Sequence, residues 1–508
     1  MNFKTFLQGF GAAITVLILR VWPHLSSYHP VIYHSFLPMQ SVIWGVVLDL
    51  GVFTLLAALL FRYLEKNEAG LRTALWAFVA AELASASASA LGVMRRAPIT
   101  YLNPDTVYLV VLLAALLLRW LRPVDYRRAV RILGVLIMLV GCSMVWMIPE
   151  LFYQGLRQRV DAAVPVTHRS PVSDRKIPGA EGGRIVWLLF DELSYDQTFE
   201  HRFSGLAMPA FDKFRSESVV FSDLKPAGYY TDRVIPSFFL GTPVDNVRST
   251  LDGESQIKLA GSQNWQPFDA HKTLFSDAQR LGWATGVVGW YNPYCRMLAG
   301  TLNYCFWRMG DGQSNGALPD HSVWQNAMAP LVELSRGWNH EPDFAQQRHL
   351  QDVAAIMPQA EELIRDQRIN FVFIHLPLPH PPGAYDRNHR GITGSYIDNL
   401  ARADKSLGDL LATLAGTATA AKATVIVCSD HSWRVPMWRS TAVWTTEDQA
   451  ASQGRFDPRP VLMIHFPGQQ NEQDVVRPYD EIRIHEMIET LLRGQQPQFE
   501  SLLAGSHP

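Results

Sequence analysis

Carboxylates and imidazoles follow three short apolar runs of this 508-residue chain. They are Asp191 and Glu192 after the first run, His375 and His380 at and beyond the end of the second, and Asp430 and His431 after the third. Two carboxylates and an imidazole suit a divalent cation such as zinc or manganese. Each residue alone is consistent with an ordinary polar loop, but the set together indicates a metal site.

Thr231 is the hydroxyl residue that such a metal could activate. A turn at Gly228 precedes it, and a helix is predicted from about Arg233. A hydroxyl at a helix N-terminus meets free backbone N–H groups and the positive end of the helix dipole. A metal on its oxygen would lower its pKa and make it a nucleophile. An ordinary N-cap threonine is the alternative.

The apolar runs before these residues have the length of strands. They are Ile185–Phe190, Asn370–His375, Ala423–Cys428 and, as a fourth strand, Val461–Ile464. Such continuous runs are typical of strands that are buried on both faces. Helical stretches at Pro358–Arg365 and Ile397–Ala415 lie between them. The alternation predicts a doubly wound α/β domain over residues 184–508, with its ligands beyond the carboxyl ends of the strands.

The first 150 residues have a different pattern, which predicts a transmembrane domain of five helices. The apolar stretches, each about long enough to cross a bilayer, are Thr5–Val21, Ser41–Leu60, Ala74–Met94, Thr106–Trp120 and Ala129–Met147. Two acids, Asp49 and Glu82, lie inside these spans. They are consistent with a polar cavity for a lipid headgroup or with a plain interhelical hydrogen bond.

Basic residues in the short joints predict the orientation of these spans. One side holds Lys4, Arg62, Lys66, Arg72, Arg119, Arg122, Arg127, Arg128 and Arg131, and the other holds Arg95 and Arg96, with Arg20 near an edge. We therefore expect a multi-pass protein of the bacterial inner membrane with a cytoplasmic N-terminus. An odd number of spans then places the C-terminal domain in the periplasm or outside the cell.

Residues 151–183 connect the two parts. They include most of a juxtamembrane helix predicted over about 149–166, and then a linker over 167–183 that is rich in proline, serine and glycine. The whole chain balances 45 Lys and Arg against 47 Asp and Glu. This balance argues against a nucleic-acid partner, which would require a basic excess.

The order of these motifs resembles the alkaline phosphatase/sulfatase superfamily. Its membrane-anchored branch, which the five spans resemble, includes phosphoethanolamine transferases and lipoteichoic acid synthases. In that branch a first strand ends in a metal-binding acid with a second aspartate five residues later, like Asp191 and Asp196. The nucleophilic threonine precedes a proline by five residues, as Thr231 precedes Pro236.

The resemblance implies a role for each matching residue. Asp191, Thr231, Asp430 and His431 would bind the metal, with Thr231 as the nucleophile. His380 would contact the phosphoryl group, and His375 and Glu192 would lie in a second shell. The start of a following helix in these enzymes is similar to Tyr396 and Asp398.

Several residues depart from the family pattern. The glycine that usually follows the Asp-His pair is Ser432 here, followed by Trp433, and a further histidine is replaced by Val443. A second metal is therefore not expected. Formylglycine sulfatases need cysteine or serine at the position of Val234 and arginine at that of Phe238, so this chemistry is not expected either.

The cysteine pairs typical of the transferases are also missing, and only Cys295 and Cys305 could form a disulfide outside the cytoplasm. The aromatic residues around them, Trp290, Tyr291, Tyr294 and Trp307, are consistent with a membrane-interface patch or with packing of a subdomain.

Four functions are consistent with these features. The first is a phosphotransferase that moves a headgroup from a membrane phospholipid to a glycan or lipid acceptor through a phospho-threonine, with a zinc or manganese ion. With water as the acceptor the same site would be a phosphodiesterase. An inactive relative that binds lipid and regulates a partner is the third, and a transporter is the weakest alternative.

Overall fold

A computed structural model of the protein describes residues 3–21, 28–29, 40–66, 73–81, 104–157, 167–169, 183–250, 254–308, 321–339, 344–387, 394–441 and 443–499. These residues form two compact units, one of helices and one of mixed α/β structure.

The helical unit packs through glycines that let its helices approach closely. Its helices are α1 Phe3–Val21, α2 Gln40–Lys66, α3 over residues 73–81, α4 Pro104–Leu121, α5 Pro123–Ser143, α6 Met147–Arg157 and α11 Val323–Asn339. A Cβ added to Gly11 of α1 would lie 2.0 Å from the Ile137 carbonyl oxygen of α5. A Cβ on Gly141 of α5 would lie 2.4 Å from the Leu7 carbonyl oxygen. Small residues at helix crossings are typical of membrane bundles.

Two stretches of the described chain are long and apolar enough to cross a membrane, Gln40–Tyr63 with 24 residues and Pro123–Leu156 with 34. Phe3–Leu17 and Leu109–Leu121 are shorter apolar helices. These four coincide with predicted spans. Most of the remaining predicted span, Ala74–Met94, lies outside the described residues, so the five-span arrangement stays a prediction. Asp49 is buried in α2, and Glu82 lies outside the described residues.

A nine-stranded mixed sheet forms the centre of the α/β unit. Its strands are β2 Thr167–Arg169, β3 Arg184–Phe190, β4 Val219–Phe221, β9 Thr285–Trp290, β10 Tyr304–Arg308, β11 Phe371–Leu376, β12 Ala423–Ser429, β13 Leu462–His465 and β14 Gln473–Val475. Their order is β14-β4-β13-β12-β3-β11-β9-β10-β2. The five strands from β12 to β10 are parallel.

The doubly wound core matches the prediction, with one difference in direction. The fourth apolar run, β13, lies antiparallel to β12. An apolar run shows that a strand is buried but not which way it points, so the sequence pattern could not reveal this. The predicted linker also contains β2, which closes one edge of the sheet against β10.

Helices cover both faces of this sheet. They are α7 Pro209–Ser216, α8 Thr231–Leu240, α9 Leu274–Arg280, α10 Tyr294–Met297, α12 Phe344–Arg365, α13 Tyr396–Ala415, α14 Val435–Trp438, α15 Thr446–Ser452 and α16 Ile484–Leu492. Val186 and Leu188 of β3 join a core cluster that includes residues of α12 and α13. Trp187 points to the other face, where its ring contacts Phe238 and Phe239 of α8.

One helix prediction was wrong at its start. Pro358 was expected in the first turn of a helix, but α12 begins at Phe344 and Pro358 lies in its interior. A proline inside a helix removes one backbone hydrogen bond. Val353, Ile356 and Ala360 of α12 are fully buried on the sheet, and this apolar burial outweighs the lost bond.

Smaller sheets complete the α/β unit. The strands β1 Tyr28–His29, β6 Val244–Thr250, β7 Ser255–Leu259 and β8 Gln266–Pro267 form one, and β5 Leu224–Lys225 pairs with β15 Tyr479–Asp480 in another. Helix α11, from within the predicted 184–508 domain, groups instead with the helical unit. There the Asn326 amide donates to the Ser41 hydroxyl at 3.1 Å.

Candidate metal centre

The parallel pairing of β3 and β12 brings the two predicted metal-binding motifs together. Phe190 and Ser429 are opposite each other at the ends of these strands. The Ser429 hydroxyl lies 2.8 Å from the Phe190 carbonyl oxygen and accepts a hydrogen bond from the Leu193 N–H at 2.8 Å. The two turns that follow the strands are thus fixed against each other, with Asp191 in one and Asp430 in the other.

Asp191, Asp430 and His431 form a buried cluster of potential ligands. One ligand atom from each lies within 4.8 Å of the others, and all three side chains are inaccessible to solvent. His431 Nε2 lies 3.2 Å from Asp430 Oδ2 and 3.9 Å from Asp191 Oδ1. Two carboxylates and one imidazole nitrogen around a common centre match the protein ligands of a divalent cation such as zinc.

The protonation state of the cluster also fits a cation. His431 Nδ1 lies 3.1 Å from the Ser432 carbonyl oxygen, which is an acceptor, so Nε2 is left without a proton and faces the carboxylates. Burial, and then the charge of Arg434, lower the pKa of His431 well below its ordinary value. Asp430 Oδ2 is buried and accepts no hydrogen bond within the described part of the chain. A bound cation would stabilise this oxygen.

Thr231 lies at the same cluster, as predicted. It is the first residue of α8 and is almost fully buried. Its hydroxyl donates to Asp191 Oδ2 at 3.4 Å and lies 3.3 Å from His431 Nε2. Tyr230, not Thr231, occupies the N-cap position. The hydroxyl therefore points at the predicted metal ligands and does not cap the helix.

His375 supports Asp191 from the neighbouring strand β11. Its Nε2 lies 3.3 Å from Asp191 Oδ2, and its Nδ1 lies 2.6 Å from the Tyr294 hydroxyl. Burial lowers the pKa of His375 to about 4. A Cβ at Gly289 would lie 2.2 Å from the Tyr294 ring, so a glycine is required there to admit the tyrosine. His375 thus contacts Asp191 but is not one of the three clustered residues, and its second-shell role stays a prediction.

His380 lies at the side of the cluster between two indole rings. The centres of the Trp290 and Trp438 rings are 5.2 and 5.4 Å from the imidazole. Arg434 Nη2 lies 3.4 Å from His380 Nε2. Because the guanidinium can only donate, the ring proton is on Nδ1, which is a buried atom. Burial, and then the charge of Arg434, lower the pKa of His380 well below its ordinary value.

Arg434 is a site residue that the sequence analysis missed. Its Nε donates to Glu192, whose carboxylate also accepts from the Trp438 indole N–H at 2.9 and 3.0 Å. Burial, opposed by Arg434, raises the pKa of Glu192 to about 7. The one sequence signal was an arginine three residues after the Asp-His pair, in the segment that departs from the family pattern.

A disulfide joins Cys295 and Cys305, the pair that the sequence singled out. It links α10, which carries Tyr294, to β10. Trp290, Tyr294 and Trp307 are buried, so these aromatic residues pack the domain and do not form an exposed patch.

Asp196 does not join the cluster. It begins a short π-helix, where its carboxylate lies 2.5 Å from His201 Nδ1 and near Glu200. The five-residue spacing that matched the superfamily therefore leads to a separate group of side chains.

A protein-family model described as Sulfatase matches residues 184–493. The match covers more than half of the chain and every residue of the cluster. A comparison with curated proteins found no match.

Solved structures that this chain matches include the following three. The phosphonate monoester hydrolase of Agrobacterium radiobacter is 13% identical, with 64% of this chain and 78% of that chain covered and a TM-score of 0.38. The lipoteichoic acid synthase LtaP from Listeria monocytogenes is 13% identical, with 64% and 76% covered and a TM-score of 0.37. An alkaline phosphatase superfamily protein from Vibrio parahaemolyticus is 13% identical, with 65% and 71% covered and a TM-score of 0.37.

Proposed function

This chain belongs to the sulfatase family, within the alkaline phosphatase superfamily, and we propose that it is a metal-dependent phosphotransferase acting on a membrane phospholipid. The superfamily predicted from the sequence is thereby confirmed, and the reaction is our proposal. It is carried by one observation, the Thr231 hydroxyl within 3.4 Å of Asp191 and 3.3 Å of His431. The acceptor would be a glycan or another lipid.

Asp191, Asp430, His431 and the Thr231 oxygen would hold the divalent cation, zinc or manganese. When bound, it would lower the pKa of the Thr231 hydroxyl and offset the negative charge of the phosphoryl group. The buried oxygen of Asp430 without a hydrogen bond and the unprotonated Nε2 of His431 support this assignment.

Thr231 would attack the phosphorus of the donor phosphodiester. A bond forms between Thr231 Oγ1 and phosphorus while the bond from phosphorus to the diacylglycerol oxygen breaks. The proton of the threonine hydroxyl ends on the diacylglycerol that leaves. Thr231 is fixed for this step because its backbone carbonyl accepts from the Asn292 amide at 3.2 Å. The product is a phospho-threonine that carries the headgroup.

His380 would steady the phosphoryl oxygens with a neutral imidazole. Its depressed pKa leaves it uncharged near pH 7, and its ring lies beside Arg434 between Trp290 and Trp438. A neutral imidazole has one N–H that could donate a hydrogen bond to the substrate. The proton needed by the leaving group is supplied by Thr231 in the overall balance, so His380 need not be charged.

An acceptor hydroxyl would complete the transfer. Its oxygen bonds to phosphorus while the bond from phosphorus to Thr231 Oγ1 breaks, and its proton ends on Thr231 Oγ1. Water in place of the acceptor would give a phosphodiesterase. Formylglycine chemistry has no support, since the residue two positions before Pro236 is Val234, a buried aliphatic side chain of α8. The family name therefore refers to the fold, and fold alone does not fix the reaction.

The helical unit supports a lipid donor. Its two long apolar stretches could cross a membrane. Leucine side chains such as Leu55, Leu59, Leu113 and Leu139 are exposed on its surface. Exposed apolar helix faces of this kind are stable in a bilayer. We also propose that the chain crosses the membrane five times, with its N-terminus in the cytoplasm and its catalytic domain in the periplasm.

The test is release of diacylglycerol from defined phospholipids. Purified full-length protein in detergent is loaded with zinc or manganese and mixed with phosphatidylethanolamine or phosphatidylglycerol. We expect diacylglycerol by mass spectrometry from the parent and from Thr242→Ala, an exposed threonine just beyond α8, but not from Thr231→Ala. Phospholipid binding without release from either donor would contradict the enzyme and favour the lipid-binding regulator.

A further inference from the structure

We infer that Arg434 binds the non-bridging oxygens of the transferred phosphoryl group, and that Glu192 is the positioning residue that holds Arg434 there. This inference rests on the proposed function. It adds a substrate-binding residue to the metal ligands and the nucleophile.

Each of the three guanidinium nitrogens has a partner, and N–H donors are left over. Its Nε–H is used by Glu192, its Nη1 donates to the Tyr229 carbonyl oxygen at 3.2 Å, and its Nη2 lies 3.4 Å from His380 Nε2. An arginine has five N–H donors in a planar fork. The described contacts use three of them, which leaves two for an anion.

The three partners of Arg434 place the fork at the reaction centre. Glu192 follows the predicted ligand Asp191 in the chain, and Tyr229 precedes the nucleophile Thr231 by two residues. His380 is the residue proposed to steady the phosphoryl group. A cation among these groups, with a side chain only 13% exposed, is in a suitable place to neutralise an anionic substrate.

The residues that depart from the family pattern explain where Arg434 lies. Trp433 stacks on Tyr396 with ring centres 4.1 Å apart and planes 4° from parallel. The Tyr396 hydroxyl donates to the Glu192 backbone oxygen at 2.8 Å. The tryptophan that stands near the usual glycine thus anchors the turn after His431 and directs the next residue, Arg434, to Glu192. The departure is therefore consistent with a rebuilt site and not with a decayed one.

The carboxylate that holds Arg434 is itself fixed. Glu192 is fully buried and receives the Trp438 indole N–H on both oxygens. Its backbone lies in the left-handed region with φ +62°, a conformation that is uncommon outside glycine. Such a rigid support reduces the entropy lost when a substrate binds.

Phosphate binding to the metal-loaded protein tests the inference without turnover. Inorganic phosphate is titrated by calorimetry into full-length protein loaded with manganese or zinc, and the metal content of each sample is measured. We expect Arg434→Gln to weaken phosphate binding by about 10- to 100-fold, as for loss of a charge-assisted hydrogen bond, with unchanged metal content. Arg439→Gln, at an exposed arginine on the same turn, should bind phosphate like the parent.

Two further variants keep the test decisive if Arg434→Gln does not fold. Arg434→Lys keeps the charge and loses the fork, so we expect an intermediate loss of phosphate affinity. Glu192→Gln should also weaken phosphate binding, and phosphate affinity in this variant should be insensitive to a second change at Arg434. Parent-like phosphate affinity in either folded Arg434 variant would overturn the inference.

The outcome is separable from that of the proposed function. Loss of phosphate binding in the Arg434 variants without diacylglycerol release from the parent would support the anion site and contradict the transferase. Diacylglycerol release with parent-like phosphate affinity in Arg434→Gln would support the transferase and overturn the anion site. A metal-loaded parent that binds no phosphate would overturn the anion site as well.

Discussion

The Thr231 hydroxyl lies 3.3 Å from Nε2 of His431, although the two residues are 200 positions apart in the chain. The contact exists because α8 begins where β12 ends, at the carboxyl edge of the parallel strands. A hydroxyl beside a buried, unprotonated imidazole nitrogen and two carboxylates is the arrangement needed for a metal-activated nucleophile.

The first prediction separates the hydroxyl from its methyl group. Thr231→Ser keeps an oxygen on the same Cβ, so we expect it to retain diacylglycerol release at a reduced rate. Thr231→Ala removes the nucleophile and should lower release by roughly 10³-fold or more. Equal rates in Ser and Ala variants, measured with the same metal content, would show that this oxygen takes no covalent part.

The second prediction concerns the metal ligands. Asp430→Asn removes a buried anion from the cluster and should weaken metal binding by more than the roughly 10- to 100-fold typical of a change outside the ligand shell. Asp409→Asn is the matched control, because Asp409 lies on α13 and pairs with Lys405. Elemental analysis after dialysis and the rise in melting temperature on adding metal report the difference. Equal metal retention by both variants would contradict the ligand assignment.

The third prediction concerns the disulfide. Replacing Cys295 and Cys305 by serine frees a loop with a sequence separation of 10, and we expect a loss of about 3 kcal/mol in the free energy of unfolding. The melting temperature of the double variant should match that of the reduced parent. Cys142→Ser, at an exposed cysteine of α5, should not change it. An equal melting temperature of the parent with and without reductant would contradict this prediction.

The fourth prediction is a loss of stability in acid. His349 is fully buried beside the Trp290 ring, near His380 and one turn before Asp352, and burial lowers its pKa to about 4. The unfolded chain binds this proton near pH 6.5 and the folded chain only near pH 4. Stability is therefore lost as the pH falls through this window, by on the order of 3 kcal/mol.

His349→Leu should remove that dependence. In metal-free protein, the drop in melting temperature between pH 7 and pH 4.5 should be smaller in this variant than in the parent. His271→Leu, at an exposed histidine, should keep the parent's dependence. An equal drop in melting temperature in His349→Leu and in the parent would contradict this prediction.

The central strands could be predicted because burial on both faces leaves a continuous apolar run. The runs at β3, β11, β12 and β13 agree with the structure to within about one residue at most ends. The direction of β13 and the start of α12 could not be predicted, since both depend on packing partners that are distant in sequence. Strand β9 was missed because Gly286 and Gly289 interrupt its apolar pattern.

The predicted ligands and nucleophile meet because strand ends share an edge of the sheet, which is a rule of topology. The same rule brings His375, near the end of β11, to the side of Asp191. The position of Arg434 could not be predicted in this way. Its partner Glu192 is 242 positions away, and the turn that carries Arg434 depends on the stacking of Trp433 on Tyr396. The roles of all these residues remain predictions.

The most direct test of the central claim is the intact mass of the metal-loaded protein after brief exposure to a phospholipid. We predict an added mass equal to one phospho-headgroup, located by peptide mapping on Thr231 and missing from Thr231→Ala. The mass would also identify the donor. Diacylglycerol release with no adduct on Thr231, or with an adduct on another residue, would contradict the account.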